Sequence, residues 1–264
     1  MREVEISEDY RVFISGTSEG TQDKYYKDGY WYKPDFYGGE GYNEELASKL
    51  LACSNLDTND YVNYEQVLIN NKLGCVSQDF CGADEEFVSI YRLYANINGG
   101  DIARVMQSMD MDDAIEYTLS FVKNNTGIDV STYFANTIFL DSIILNTDRH
   151  MNNLGVIYNS AQESFRPAPI FDNGKSFFCG EKSHDASKLI FRPFSASAGL
   201  MNSYLKKYRT IDFNNQKVTN LIEGLPAGVH KDVLIYTMND YKTVNIPNKE
   251  ISKLHSCKIE RVEK

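Results

Sequence analysis

Two clusters of side chains have the types and spacing that phosphate chemistry needs. The first is Asn146-Thr147-Asp148-Arg149-His150-Met151-Asn152-Asn153-Leu154-Gly155, and the second is Ala168-Pro169-Ile170-Phe171-Asp172-Asn173-Gly174. Acids, a base and amides crowd into loops bounded by apolar runs, as in a reactive loop carried by a scaffold. Phosphoryl transfer asks little covalent work of a protein. It needs a loop or a lysine on the phosphates, carboxylate or amide ligands for magnesium, and a group that orients the attacking hydroxyl.

Asp148 and Asn153 lie five residues apart, the separation of the catalytic Asp and the metal-binding Asn in a kinase catalytic loop. A strand pair then leads to Asp172, followed by Asn173-Gly174. Two acids and an amide at the ends of a hairpin can converge on one or two magnesium ions. Singly, each residue has a blander reading, because Asp and Asn are ordinary turn formers. Together, in this order and spacing, they favour a functional reading in which Asp148, Asn153 and Asp172 surround the reacting phosphate and its magnesium. His150 has three readings: deprotonating the acceptor, steadying developing charge, or holding the loop by hydrogen bonds. Arg149 pairs either with a loop acid or with a phosphorylated residue.

Upstream, Lys33 ends a strand and is placed to reach the α- and β-phosphates. It follows a Gly-containing loop and precedes a helix with two acids, Glu44 and Glu45. Glu44 shares a helical side with Ala47 and Leu51, so it is the expected partner of Lys33. The loop Gly16-Thr17-Ser18-Glu19-Gly20-Thr21 offers backbone N–H groups and the hydroxyls of Thr17, Ser18 and Thr21 to a triphosphate. It is neither a Walker A loop nor a strict Gly-x-Gly-x-x-Gly.

The elements that must position these groups are readable in outline. Residues 10–15 read as a strand, and 24–33 as a hairpin turning at Lys27-Asp28-Gly29. Pro34 ends that hairpin, and a helix is expected from an Asn43 N-cap to Leu51. Two apolar runs at 61–69 and 74–80, turning over 70–73, suggest an antiparallel pair. Residues 81–110 resist placement. Asp112-Asp113 are expected to cap a helix that Gly127 stops. The strongest helix, 131–145, carries an apolar stripe. Strands are expected at 154–158 and before Asp172, and helices at 200–208 and 231–241. The order is strand-rich, then helix-rich. It gives an α+β, two-lobed chain with a small antiparallel-sheet lobe over 1–82 and a mostly helical lobe over 83–264.

Composition narrows the partners. With 264 residues, 42% hydrophobic and 24% charged, the chain is an ordinary globular protein. A net charge of −10 argues against nucleic acid as a direct partner. No apolar leader and no spanning segment is visible, since 137–145 is short and interrupted by Asp141. Five cysteines without Cys-x-x-Cys spacing read as reduced thiols. A cytoplasmic protein without membrane contact is expected. The 18 tyrosines and Trp31 are assigned to strand packing rather than to stacking surfaces.

The two motifs, with Gly20-x-x-x-Lys24, Tyr32-Lys33-Pro34 and Glu44-x-Leu46-x-Ser48, resemble the HipA-like kinases, including the shorter CtkA-type bacterial kinases. The Asp-Arg-His-x-x-Asn core also resembles that of the phosphatidylinositol 3- and 4-kinases. The resemblance spans roughly residues 14–175. It implies a protein-kinase-like fold and phosphorylation of protein serine or threonine with ATP and magnesium. Lys33 would bind phosphates, with Ser18, Thr17 or Thr21 as autophosphorylation sites and Gln78–Phe80 near the adenine. Longer members work with a DNA-binding antitoxin, a pairing this chain does not indicate. A toxin or effector role with an unidentified protein substrate is the leading expectation. Two rivals stand beside it. One is a lipid or small-molecule kinase, which the absence of a basic patch near the loop disfavours. The other is a pseudokinase scaffold, which intact Lys33, Asp148, Asn153 and Asp172 disfavour.

Overall fold

The computed structural model describes residues 1–12, 23–184 and 206–240. The proposed phosphate loop with Gly16, Thr17, Ser18 and Thr21 lies outside them, as does most of 200–208. The chain begins with a strand the sequence did not reveal, β1 (Arg2–Val4), which runs parallel to a later strand, β4 (Tyr64–Ile69). The strand expected at 10–15 is not seen at its start. Glu8–Tyr10 is a 3-10 turn in which the Ser7 hydroxyl accepts from Asp9 N, and Arg11 makes a single bridge to Tyr25.

β2 (Tyr25–Lys27) and β3 (Tyr30–Pro34) form the expected hairpin. Its turn residues Asp28 and Gly29 both have positive φ, 52° and 80°, the left-handed pair whose twist matches that of the strands. β4 and β5 (Lys72–Gln78) repeat the device with Asn70 and Asn71 at φ 48° and 64°. That turn is tighter than the four residues expected. The sheet order is β1-β4-β5-β3-β2, antiparallel except at β1. Alternation along strands sorts its side chains. Tyr25, Val67, Ile69 and Val76 cluster with Ile6 on one face. Lys33 and Cys75 are cross-strand neighbours on the other face, as are Trp31 and Ser77.

Helix α1 (Glu40–Leu51) crosses that second face. It starts three residues before the expected Asn43 cap, from Gly39 at φ 111°. The orphan N–H groups go instead to the Asp35 carboxylate, which accepts from Gly39 N at 2.6 Å and Gly41 N at 2.7 Å. Gly41 faces Gly74 so closely that a Cβ on Gly41 would stand 2.4 Å from the Gly74 carbonyl. Further along, Leu46, Ala47, Leu50 and Leu51 join the large apolar core of the second lobe.

The stretch that resisted placement contains β6 (Glu85–Ser89), α2 (Ile90–Asn98) and α3 (Ile102–Met106). β6 pairs with β7 (Gly155–Asn159), which in turn pairs with β8 (Ser164–Pro167), making a three-stranded sheet. The cap of α4 (Met111–Thr126) is Asp110, accepting from Asp113 N. Asp112 and Asp113, the expected caps, lie in its first turn, where the helix dipole still favours them. α5 (Ser131–Ile144) has no exposed face beyond Thr132, so it is a core helix rather than a striped one. α6 (Asn215–Gly224) and α7 (Val229–Asp240) close the described chain, α7 being the helix expected over 231–241. Among the described residues no helix is long and apolar enough to cross a membrane.

Candidate active site

α5 ends at Leu145 in the left-handed region, φ 54°, which turns the chain sharply into the polar loop. The loop braces itself with amides. Asn146 donates to Asp141 Oδ1 at 2.9 Å and accepts from Asp148 N at 3.0 Å. Asn153 Oδ1 accepts from His150 N at 2.8 Å, while its Nδ2 donates to Asp148 O and to Asp172 Oδ2, both at 3.2 Å. One amide therefore ties the two acids' segments together. His150 turns Nδ1 onto its own loop, accepting from Asn152 N at 3.2 Å. In the neutral ring the proton then sits on Nε2.

Beneath the loop lies Arg149, the largest fully buried side chain among the described residues. Its five N–H donors all have acceptors. Nε and Nη2 fork onto the Asp141 carboxylate at 2.9 and 3.0 Å, and Nη2 also reaches Asn173 Oδ1 at 2.8 Å. Nη1 reaches Phe171 O at 2.6 Å and Asn153 O at 3.4 Å. Of the two partners the sequence left open, a carboxylate holds it, from α5 rather than from the loop. Burial opposes the guanidinium charge, but Asp141 outweighs that and holds its pKa above the usual value. Such a pair welds α5, the loop and the Asp172 segment into one body.

Lys33 meets this body from above. Its Nζ stands 3.2 Å from Asp172 Oδ1 and 3.6 Å from Glu44 Oε1, while Glu45 pairs outward with Lys49 at 3.1 Å. Glu44 Oε2 in turn accepts from Asn173 N at 2.8 Å. Asp172 itself has φ 61°, a strained setting for a non-glycine residue and one found at functional sites. Burial alone would raise its pKa; Lys33, then Lys24 and the Asn153 amide, hold it well below the carboxylate range. For Lys33 burial acts downward, and Asp172, Tyr64 and Glu44 push its pKa well above the usual value. Glu44 goes the other way, raised by burial more than Lys33 lowers it. Lys33 and Asp172 thus each favour the other's charged form.

Some groups fall elsewhere, and others were missed. Gln78 is exposed, and strand alternation places it with Val76, opposite the face of Lys33 and Cys75. Trp31 and Tyr26, assigned to packing from sequence, share Lys33's face; their rings are 4.8 Å apart and partly exposed. The spacing of Trp31 two residues before Lys33 could have signalled this. Lys24, which entered only through the resemblance, lies within electrostatic reach of Asp172 and Lys33; burial and then Lys33 lower its pKa. Between the lobes, Phe80 O accepts from Arg166 Nη2 at 3.1 Å, and Arg166 forks onto Glu85 at 2.9 and 2.8 Å.

Asp172 and Asn153 offer hard oxygen donors, the kind magnesium takes, and too few to enclose it. A metal held by them would complete its shell from water and phosphate oxygens. Among the described residues no three His, Cys, Asp or Glu side chains gather into a metal cluster.

No family model and no curated protein matches the chain. Among solved structures it is similar to the Helicobacter pylori proinflammatory kinase CtkA. The match has a TM-score of 0.60 at 15% identity and covers 91% of this chain and 93% of that one. At that identity the likeness speaks for fold, and the fold is the two-lobed protein-kinase-like one, α+β with the sheet lobe above the helical lobe.

Proposed function

We propose that the chain is an ATP- and magnesium-dependent phosphotransferase whose acceptor is a serine or threonine hydroxyl of a protein. One observation carries the reading. Lys33 from the sheet meets Asp172, 139 positions on, and Asp172 in turn meets Asn153 across its hairpin, both through contacts of 3.2 Å. In this reading Lys33 binds the nucleotide's phosphates, with Lys24 adding positive charge behind it. Magnesium, when bound by Asp172 and Asn153, supplies charge that offsets the phosphate oxygens. Asp148 orients the acceptor hydroxyl and takes its proton as the oxygen–phosphorus bond forms and the bond to the leaving ADP breaks. His150 braces the loop through Nδ1, which accepts from Asn152 N. The base lies along β3 beneath Trp31 rather than against the Gln78 side chain. A protein acceptor is supported by the motifs' resemblance, and the self-modification candidates remain Ser18, Thr17 and Thr21.

The test is incubation with magnesium and γ-labelled ATP, alone and with cell lysate, beside Asp148→Ala and Asp172→Asn. Label on protein that vanishes in both variants supports the proposal, with phosphosite mapping naming the residue type. Wild-type chain that binds no ATP, or that labels no protein, defeats it. Trp31 is the only tryptophan, so a change in its emission on adding nucleotide locates the base independently.

A further inference from the structure

His230, on the first turn of α7, takes no part in the chemistry above, yet it touches the helix that carries Glu44. Its Nε2 lies 2.8 Å from Asn43 Oδ1. Asn43 is only 2% exposed, and its Nδ2 donates at 2.8 Å to both Gly174 O and Ser176 O. Those two carbonyls fix the amide's orientation, because a flipped amide would set oxygen against oxygen. Oδ1 must then face His230, and His230 must carry its proton on Nε2.

The next residue, Glu44, accepts from Asn173 N. Two consecutive residues of α1 therefore grip the chain just beyond Asp172 at three backbone points: Asn173 N, Gly174 O and Ser176 O. That chain is strained, with Phe177 and Phe178 in succession at φ 53° and 63°. Bulky side chains hold such conformations only where surrounding structure over-determines them. The His230 ring packs edge-on to Tyr42 at 4.8 Å and tilted against Phe177 at 5.0 Å, so it braces both sides of the grip. α7 is anchored in turn to the helix leading into the catalytic loop, with Thr237 Oγ1 donating to Ile143 O at 2.9 Å.

Resting on the function proposed above, we infer that His230 and Asn43 form a latch that fixes α1 onto the Asp172 segment, with His230 as a positioning residue for the site. The latch ties Glu44 and Asp172 to the second lobe, so the pair stays assembled whether or not the sheet moves.

The test compares His230→Phe, which keeps a ring against Tyr42 and Phe177 but cannot donate, with His230→Gln, which can. Two readouts are taken on the full chain: backbone hydrogen exchange over 173–178 and turnover with MgATP. His230→Phe is expected to speed exchange over 173–178 and lower kcat about tenfold, as loss of a buried hydrogen bond implies. KM for MgATP stays within about twofold, because Lys33 and the sheet are untouched. His230→Gln restores most of the protection and turnover. Wild-type exchange in His230→Phe overturns the latch, and so does equal loss in both variants, which would make ring packing the whole effect. Should the wild-type chain transfer no phosphate, the phosphotransferase reading fails by itself. The exchange comparison alone then decides the latch: faster exchange rescued by Gln supports it, and unchanged exchange refutes it.

Discussion

Lys33 and Glu44 meet at 3.6 Å, but the bodies that carry them are held in different ways. Lys33 rides on a sheet whose own packing is slight: Ile6, Tyr25, Val67, Ile69 and Val76 on one face, and Val62, Tyr64 and Cys75 on the other. Glu44 rides on a helix that lies across that sheet yet packs Leu46, Ala47, Leu50 and Leu51 into the second lobe's core. Apolar burial scales with area, so these four side chains bind α1 to the helical lobe, while Gly41 against Gly74 and Ser48 on Val62 O and Tyr64 N hold it to the sheet as well. Lys33 is the sheet's link to the acids, at 3.6 Å from Glu44 and 3.2 Å from Asp172.

The largest expected effect comes from the fixed body. Arg149→Leu would leave Asp141 and Asn173 buried without their partner, at a cost of about 3–5 kcal/mol, measured by chemical denaturation. A loss under about 1 kcal/mol would mean the network is not what holds the loop to α5. A middle-sized effect is expected where the bodies touch. Gly41→Ala sets a methyl against the Gly74 carbonyl, and with α1 fixed the sheet must give way. Roughly 1–3 kcal/mol of stability and a weaker nucleotide affinity should follow, with exchange over 173–178 unchanged. Faster exchange there would show that α1 had moved instead.

The smallest effect concerns the strap between the lobes. Hydrogen bonds from Arg166, then from Gly82 N, draw the Glu85 carboxyl from 4.5 down to about 2. A depressed folded pKa contributes stability that is present above the unfolded value and lost as pH falls through the folded one. The wild-type melting temperature should therefore drop more steeply between pH 4.5 and 2 than that of Glu85→Gln. Parallel curves would show that the strap adds nothing.

The motifs proposed to carry catalysis were legible because their logic is local. The five-residue interval from Asp148 to Asn153 and the hairpin to Asp172 survive without knowledge of the fold, and helical spacing was enough to choose Glu44 over Glu45. Long-range pairing was not legible. β6 went unplaced because its partner β7 lies some seventy residues on, and the Asn43–His230 bond spans 187 positions. Asn43 misled in an instructive way: its residue type suits a cap, but Asp35 caps the helix from outside and frees Asn43 to work inside it. Arg149 likewise gave no sign of its partner, since Asp141 read only as an interruption in an apolar run.

The most direct measurement is calorimetric titration of ATP with and without magnesium, on wild type and on Asp172→Asn. Lys33 is common to both proteins but loses its Asp172 partner in the variant, so the metal's share is read within each protein as the difference between MgATP and metal-free ATP. The expected result is tighter binding of MgATP than of metal-free ATP in wild type, with that difference lost in Asp172→Asn while metal-free binding persists. Equal magnesium dependence in the two proteins, or no nucleotide binding in wild type, would contradict the assignment of Asp172.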